Sequence, residues 1–378
     1  MRLRSLYAAN YRSLRAIRMD LGGITLFVGE NGVGKSNLYR ALQLVQAAAG
    51  GMLAREIAAE GGMASVLWTG PRRDDGKPVR IRLEVELLDE EQAVAYRYRV
   101  EAGLRPPLGA GFAFEPQIKA ETFSIVSGAR PVVMMKRAGP AIEARDERGR
   151  MALYPGQAML SETAMALLGD AGRFPEIGAF RRLVGGWRFY HGFRSDPASP
   201  LRRPCLAVTA PLLDADGGNL AAVFATLVHI REDTVELDRA IAAALGGARL
   251  HVPDPDEQAR FGLVLPEFPR RIFDPRELSD GQIRFLGLAG ALLSYRQPPL
   301  IALNEPEASL HPDMLEPLAD MIATAGRSSQ IWIVTHSERL AAAVARRTGL
   351  RPRRVIREDG ATSIEGLRLT GALDGEEE

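Results

Sequence analysis

Gly29-Glu30-Asn31-Gly32-Val33-Gly34-Lys35-Ser36 sets three glycines, a lysine and a hydroxyl at the spacing that cradles a phosphate chain. Glycines at 29, 32 and 34 let the backbone wrap closely and aim its amides, those of Glu30, Asn31 and Val33 included, at phosphate oxygens. A helix starting near Lys35 would add its positive end to the same place. Lys35 is then expected to reach the β- and γ-phosphates of a nucleoside triphosphate, Ser36 to ligate Mg²⁺, and Asn37 to complete the binding set. The chain holds only four lysines (Lys35, Lys77, Lys119, Lys136), which makes one in this slot hard to assign to chance. The whole pattern would arise by accident with odds on the order of 0.01.

Three further groups could do chemistry. Leu278-Ser279-Asp280-Gly281-Gln282 opens an apolar helical stretch, where Ser279 is a good N-cap and the helix start could equally bind a phosphate. Asn304-Glu305 follows the apolar run 299–303, so a carboxylate sits at a strand end. As a general base, Glu305 would be worth roughly 10²- to 10⁴-fold in rate, though a capping Asn-Glu-Pro is the structural alternative. His336 ends the run 331–334 in the same manner; one histidine after a strand is ordinary by itself, and its order after Glu305 gives it meaning.

The elements that must position these groups are visible as patterns. Residues 3–7 and 24–28 read as short apolar strands, with Gly22-Gly23 as a turn before the second. Residues 36–49 read as a helix with Leu38, Ala41, Leu42 and Val45 on one face. From 78 to 144 the chain alternates, most clearly over 79–87 and again at 96–100, 112–118, 121–126 and 132–136. That predicts an antiparallel sheet with one wet face. Residues 157–250 are helical in composition, 253–275 a proline-spaced connector, and 281–295 a helix. Runs 300–303 and 330–334 read as buried parallel strands. Beyond 355 the chain turns polar and ends in the acidic run 374–378.

Composition sets outer limits. A formal net charge of +1 gives no basic field announcing nucleic acid, and scattered arginine pairs at 181/182, 202/203 and 270/271 read as solvated. The single cysteine, Cys205, excludes an internal disulfide framework and a cysteine metal site. No apolar run approaches the roughly 18 residues needed to span a bilayer, so a cytoplasmic protein without membrane partners is expected.

With four motifs in this order, the chain resembles bacterial ABC-type AAA-family ATPases of the RecF/SMC/OLD-like group. The resemblance implies an α/β fold, a P-loop NTPase of ABC-ATPase head type: a core parallel sheet plus an antiparallel β-sheet and a helical signature lobe. Residues 1–150 and 296–360 would form a discontinuous ATP-binding core lobe, 151–295 the helical lobe, and 361–378 a polar, acidic tail. It also implies that Ser279, Gly281 and Gln282 act as a signature motif on a γ-phosphate held by a second copy, giving a homodimer around two ATP–Mg²⁺ sites. Glu305 and His336 would be the catalytic pair, His336 sensing the γ-phosphate, and 309–312 the crossing loop. Arg12, in Asn10-Tyr11-Arg12-Ser13-Leu14, would approach the nucleotide.

Such proteins usually end the Glu305 strand with Asp-Glu, the aspartate supporting Mg²⁺; here Asn304 takes its place. A carboxylate lost about 4 Å from a cation forfeits a few kcal/mol at an effective dielectric near 20. Weaker Mg²⁺ binding or slower turnover is therefore expected rather than inactivity. No glutamine occurs at 61–70, where a Q-loop could sit. The stretch after His336 is too short for the Toprim nuclease that OLD-like proteins carry. The implied function is an ATP-hydrolysing conformational switch in DNA maintenance or phage defence, with DNA or an unidentified protein as reader. The alternative is an ATP-sensing scaffold with little hydrolysis that regulates a partner protein.

Overall fold

The structure is a computed structural model and describes residues 1–71, 78–104, 112–128, 130–146, 148–154, 158–368 and 370–373. The chain forms two compact units: Met1–Gly22, Glu30–Trp187 and Arg354–Glu378 make one, Gly23–Gly29 and Arg188–Arg353 the other. Residues 151–187, placed with the helical lobe by composition, fall in the first unit.

In the first unit, alternation in Arg80–Asp89 buries Ile81, Leu83, Val85 and Leu87 and leaves charged residues between them at the surface. This strand is third in an antiparallel sheet of eight, ordered Leu14–Asp20, Arg2–Tyr11, Arg80–Asp89, Val94–Gly103, Gln117–Val126, Pro131–Ala138, Ala141–Arg145, Met151–Leu153. Its wet face carries ion pairs such as Arg97–Glu86 at 2.6 Å and Arg82–Glu101 at 3.0 Å. The exposed pair Arg97–Glu86 stabilises little, whereas Glu101 is buried beneath its arginines. The helix Lys35–Gly50 buries Leu38, Ala41, Leu42 and Val45 and packs against strands Arg2–Tyr11 and Arg80–Asp89.

Two expectations are corrected here. The strand read at 112–118 begins only at Gln117; Phe112 and Phe114 are exposed, and Pro116 has no N–H to give a ladder. The tail read from 361 begins later, because Arg353–Glu358 and Ala361–Ile364 pair as a hairpin. Its turn is Asp359-Gly360, both at positive φ (49° and 78°), the conformation that favours this dipeptide between two strands. The acidic run 374–378 lies outside the described residues.

In the second unit, four parallel strands lie in the order Arg188–His191, Leu300–Asn304, Gln330–Thr335, Ile24–Val28. Every residue of Leu300–Asn304 and Gln330–Thr335 is buried, as continuous apolar runs require. Ile301, Leu303, Ile331 and Ile333 share one core with Phe285 and Leu286 of helix Asp280–Leu293 and Leu318 and Ile322 of helix Leu315–Ala325. The proline-spaced connector also forms short strands: Gln258–Ala259 pairs with Cys205–Leu206, and Gly262–Val264 lies between Arg249–His251 and Ile272–Phe273. Among the described residues, no helix is long and apolar enough to cross a membrane.

Candidate nucleotide-binding site

Parallel strands end on one edge of their sheet, and here the register fixes what meets there. Asn304 pairs with Val334 and Thr335 with Val28, so Gly29, Glu305 and His336 all leave the same edge. That is the carboxyl edge, where open α/β sheets bind ligands.

The phosphate loop proper belongs to the first unit. Gly32 and Gly34 adopt φ of 82° and 97°, which only glycine takes readily. Gly34 is the N-cap of the helix Lys35–Gly50 with no side-chain hydrogen bond, so the helix start presents its positive end to the loop. Lys35 is buried and its Nζ donates to the Glu30 carbonyl at 2.6 Å, closing the loop on itself. Glu30, Asn31, Gly32 and Ser36 are exposed. Three side chains brace the loop: Thr362 Oγ1 donates to the Val33 carbonyl (2.8 Å), Ser13 Oγ then donates to Thr362 Oγ1 (2.6 Å), and Asn37 Nδ2 donates to Ser13 Oγ (2.7 Å). Asn37 thus acts on the loop through Ser13. Arg12 is the neighbour of this brace, but its guanidinium is held 2.6 Å from Glu60, which also receives Arg40 and the Tyr11 hydroxyl.

The strand ends of the second unit carry Glu305 and His336. Glu305 sits at φ 48°, a strained position for a non-glycine residue, fixed by its N–H on the Val334 carbonyl (2.7 Å) and its carbonyl on Arg284 Nη2 (3.2 Å). His336 Nδ1 lies 3.7 Å from Glu305 Oε1 and 3.2 Å from Glu307 Oε1. Glu307, which the sequence reading did not single out, is buried; its Oε1 also accepts from Thr335 Oγ1 (2.5 Å) and the His336 amide (3.1 Å). Its second neighbour in the chain is Glu305, and that proximity was the one available signal.

Ser279 is exposed at the start of helix Asp280–Leu293, where a reciprocal capping box joins it to Gln282 (Gln282 N to Ser279 Oγ, 3.3 Å; Ser279 N to Gln282 Oε1, 2.9 Å). Both are therefore engaged in capping this helix. Gly281 has no room for a side chain, since a Cβ there would lie 2.9 Å from the Ser309 carbonyl. Arg202, read as solvated, is instead buried: it donates to the Pro275 and Leu278 carbonyls (2.6 and 2.7 Å) and to Asp280 (2.8 Å), holding the approach to this helix. Trp68, in the segment 61–70, is buried and its amide donates to the Asn10 carbonyl.

In the second unit, Asn304 Oδ1 and Glu307 Oε2 are buried atoms with no hydrogen-bond partner, and in the first unit Ser36 offers an exposed hydroxyl; each is an oxygen of the kind a hard cation such as Mg²⁺ takes.

Comparisons with known proteins agree. Residues 177–342 match the family described as "AAA domain, putative AbiEii toxin, Type IV TA system", and residues 1–60 match "AAA ATPase domain". Over 91 residues the chain is 35% identical to the thiamine import ATP-binding protein ThiQ of Chelativorans sp. (strain BNC1), a match that covers 24% of this chain and 36% of that protein's length. The SMC head bound to the C-winged helix domain of ScpA superposes with a TM-score of 0.56 at 14% identity, covering 98% of both chains. An SMC head with an extended coiled coil, bound to the C-terminal domain of ScpA derived from Pyrococcus furiosus, gives 0.53 at 13% identity, covering 96% of this chain and 95% of that one. The chain thus matches AAA-type ATPase domain families over two stretches and shares the α/β fold of the SMC heads.

Proposed function

We propose that this chain binds and hydrolyses ATP and that two copies close around two ATP–Mg²⁺ sites, reopening after hydrolysis. The observation that carries the reading is the shared sheet edge, from which Gly29, Glu305 and His336 all depart. The loop leaving Gly29 receives the triphosphate on its backbone amides, with Lys35 neutralising the β- and γ-phosphates. Ser36 and Asn304 would hold Mg²⁺, which would supply charge neutralisation at the phosphates. Glu305 accepts a proton from the attacking water, and His336, fixed through Glu307, contacts the γ-phosphate. Ser279 and Gly281 present an exposed helix start to the partner's nucleotide. The opening and closing is read by DNA or by a bound protein, as the SMC heads named above bind ScpA.

Steady-state phosphate release tests this. The wild-type chain should hydrolyse ATP, Lys35→Ala should lose ATP binding, and Glu305→Gln should bind ATP yet turn over roughly 10²- to 10⁴-fold more slowly. Equal release from wild type and Glu305→Gln would overturn the hydrolysis reading. Asn304, a neutral residue where a carboxylate would hold the cation better, favours a second reading: an ATP-sensing scaffold that regulates a partner. Release no higher than the Glu305→Gln background, with and without DNA, would decide for the scaffold.

A further inference from the structure

Strand Arg188–His191 runs parallel to Leu300–Asn304 and sets His191 directly opposite Asn304. The Asn304 side chain is buried, and its Nδ2 meets His191 Nδ1 at 2.7 Å. With the amide nitrogen donating, the ring nitrogen facing it accepts, in the tautomer that carries its proton on Nε2. That contact also settles the other end of the amide. Oδ1 is turned away from His191 and is buried without a hydrogen-bond partner. A carbonyl oxygen so placed is an acceptor kept in waiting.

Resting on the ATP–Mg²⁺ reading above, we propose that His191 is a positioning residue, locking the Asn304 amide with its oxygen toward the cation. Two faces of an amide differ in sign: the oxygen attracts a cation or the hydrogen of its bound water, and the NH₂ repels both. Turning the terminal torsion by half a turn exchanges them, and that torsion is broadly two-fold. With the ring in that tautomer, the exchanged state loses its hydrogen bond and sets two acceptors face to face. An aspartate would need no such guidance, because both of its oxygens accept. The neighbour across the strand thus makes a neutral asparagine serviceable at a position where a carboxylate would work unaided.

The test uses the full chain, adenylyl imidodiphosphate as a slowly hydrolysed nucleotide, and Mn²⁺ as the cation, its free concentration followed by electron paramagnetic resonance. His191→Ala should weaken Mn²⁺ binding to the protein–nucleotide complex about three- to tenfold, the worth of one lost hydrogen bond. Nucleotide affinity measured in EDTA should not change. In an Asn304→Asp background the same substitution should leave Mn²⁺ affinity unchanged. His191→Asn, whose side-chain oxygen can take the same bond, should recover the affinity and covers the case in which the alanine variant folds poorly. Unaltered Mn²⁺ affinity in His191→Ala overturns the proposal. So does an equal loss in both backgrounds, because the ring would then act by some route other than the amide. A wild-type chain that holds no nucleotide in EDTA or with Mn²⁺ fails the ATP reading itself, a result distinct from either.

Discussion

One carboxylate oxygen of Glu307 serves the Thr335 hydroxyl, the His336 amide and the His336 ring, all within 3.2 Å, so the end of one strand is tied to the loop after its neighbour. Glu307→Gln keeps the shape but removes the charge from these contacts. Each hydrogen bond to a charged group is worth about 1.5–3 kcal/mol, so the step that His336 serves should slow roughly 10- to 100-fold. Nucleotide affinity should hold, and stopped-flow phosphate release set against equilibrium binding separates the two; a matching loss of affinity would place Glu307 in binding instead. Lys35, Ser36, Ser279, Glu305 and His336 could be singled out in the sequence because each lies in a short string with a characteristic spacing. Glu307, His191 and Arg202 gave no such sign. Their partners lie far along the chain, at 335–336, 304 and 275–280, and only tertiary register brings them together.

At the scale of elements, the signature helix start is fitted against the loop that follows Glu305. The Ser309 carbonyl stands where a Cβ on residue 281 would go, and Arg284 of the same helix donates to the Glu305 carbonyl. Gly281→Ala must therefore push helix and loop apart, an overpacking that costs about 1–3 kcal/mol. ATP binding should survive while ATP-driven association weakens about tenfold or more, as sedimentation velocity would report; undiminished association would separate this fit from dimer formation. The central strands and the P-loop helix could be read in advance because their apolar periods are long and unbroken. The C-terminal hairpin could not, since charged residues hide its alternation, and only the Asp359-Gly360 turn betrayed it. At Pro116 the apolar pattern was present, but the backbone donor a strand needs was not.

For the molecule as a whole, the sheet of the second unit takes one strand, Ile24–Val28, from a stretch otherwise surrounded in sequence by the first unit. The need for residues 24–28, 300–304 and 330–335 to share a sheet followed from the motifs; where the chain divides did not, because composition does not change at residue 187. Association is the property to measure at this scale. Glu305→Gln with saturating Mg·ATP should double in mass by light scattering, and adding Ser279→Arg should return it to a monomer that still binds ATP. A Glu305→Gln chain that stays monomeric contradicts the closed dimer. The brace on the phosphate loop has a temporal side as well. Ribosomes translate Val33 early, whereas the hydroxyl that steadies its carbonyl arrives only with Thr362. A nascent chain therefore carries an unsteadied loop until residue 362 has been made, and the firmness of the loop waits on that hydroxyl.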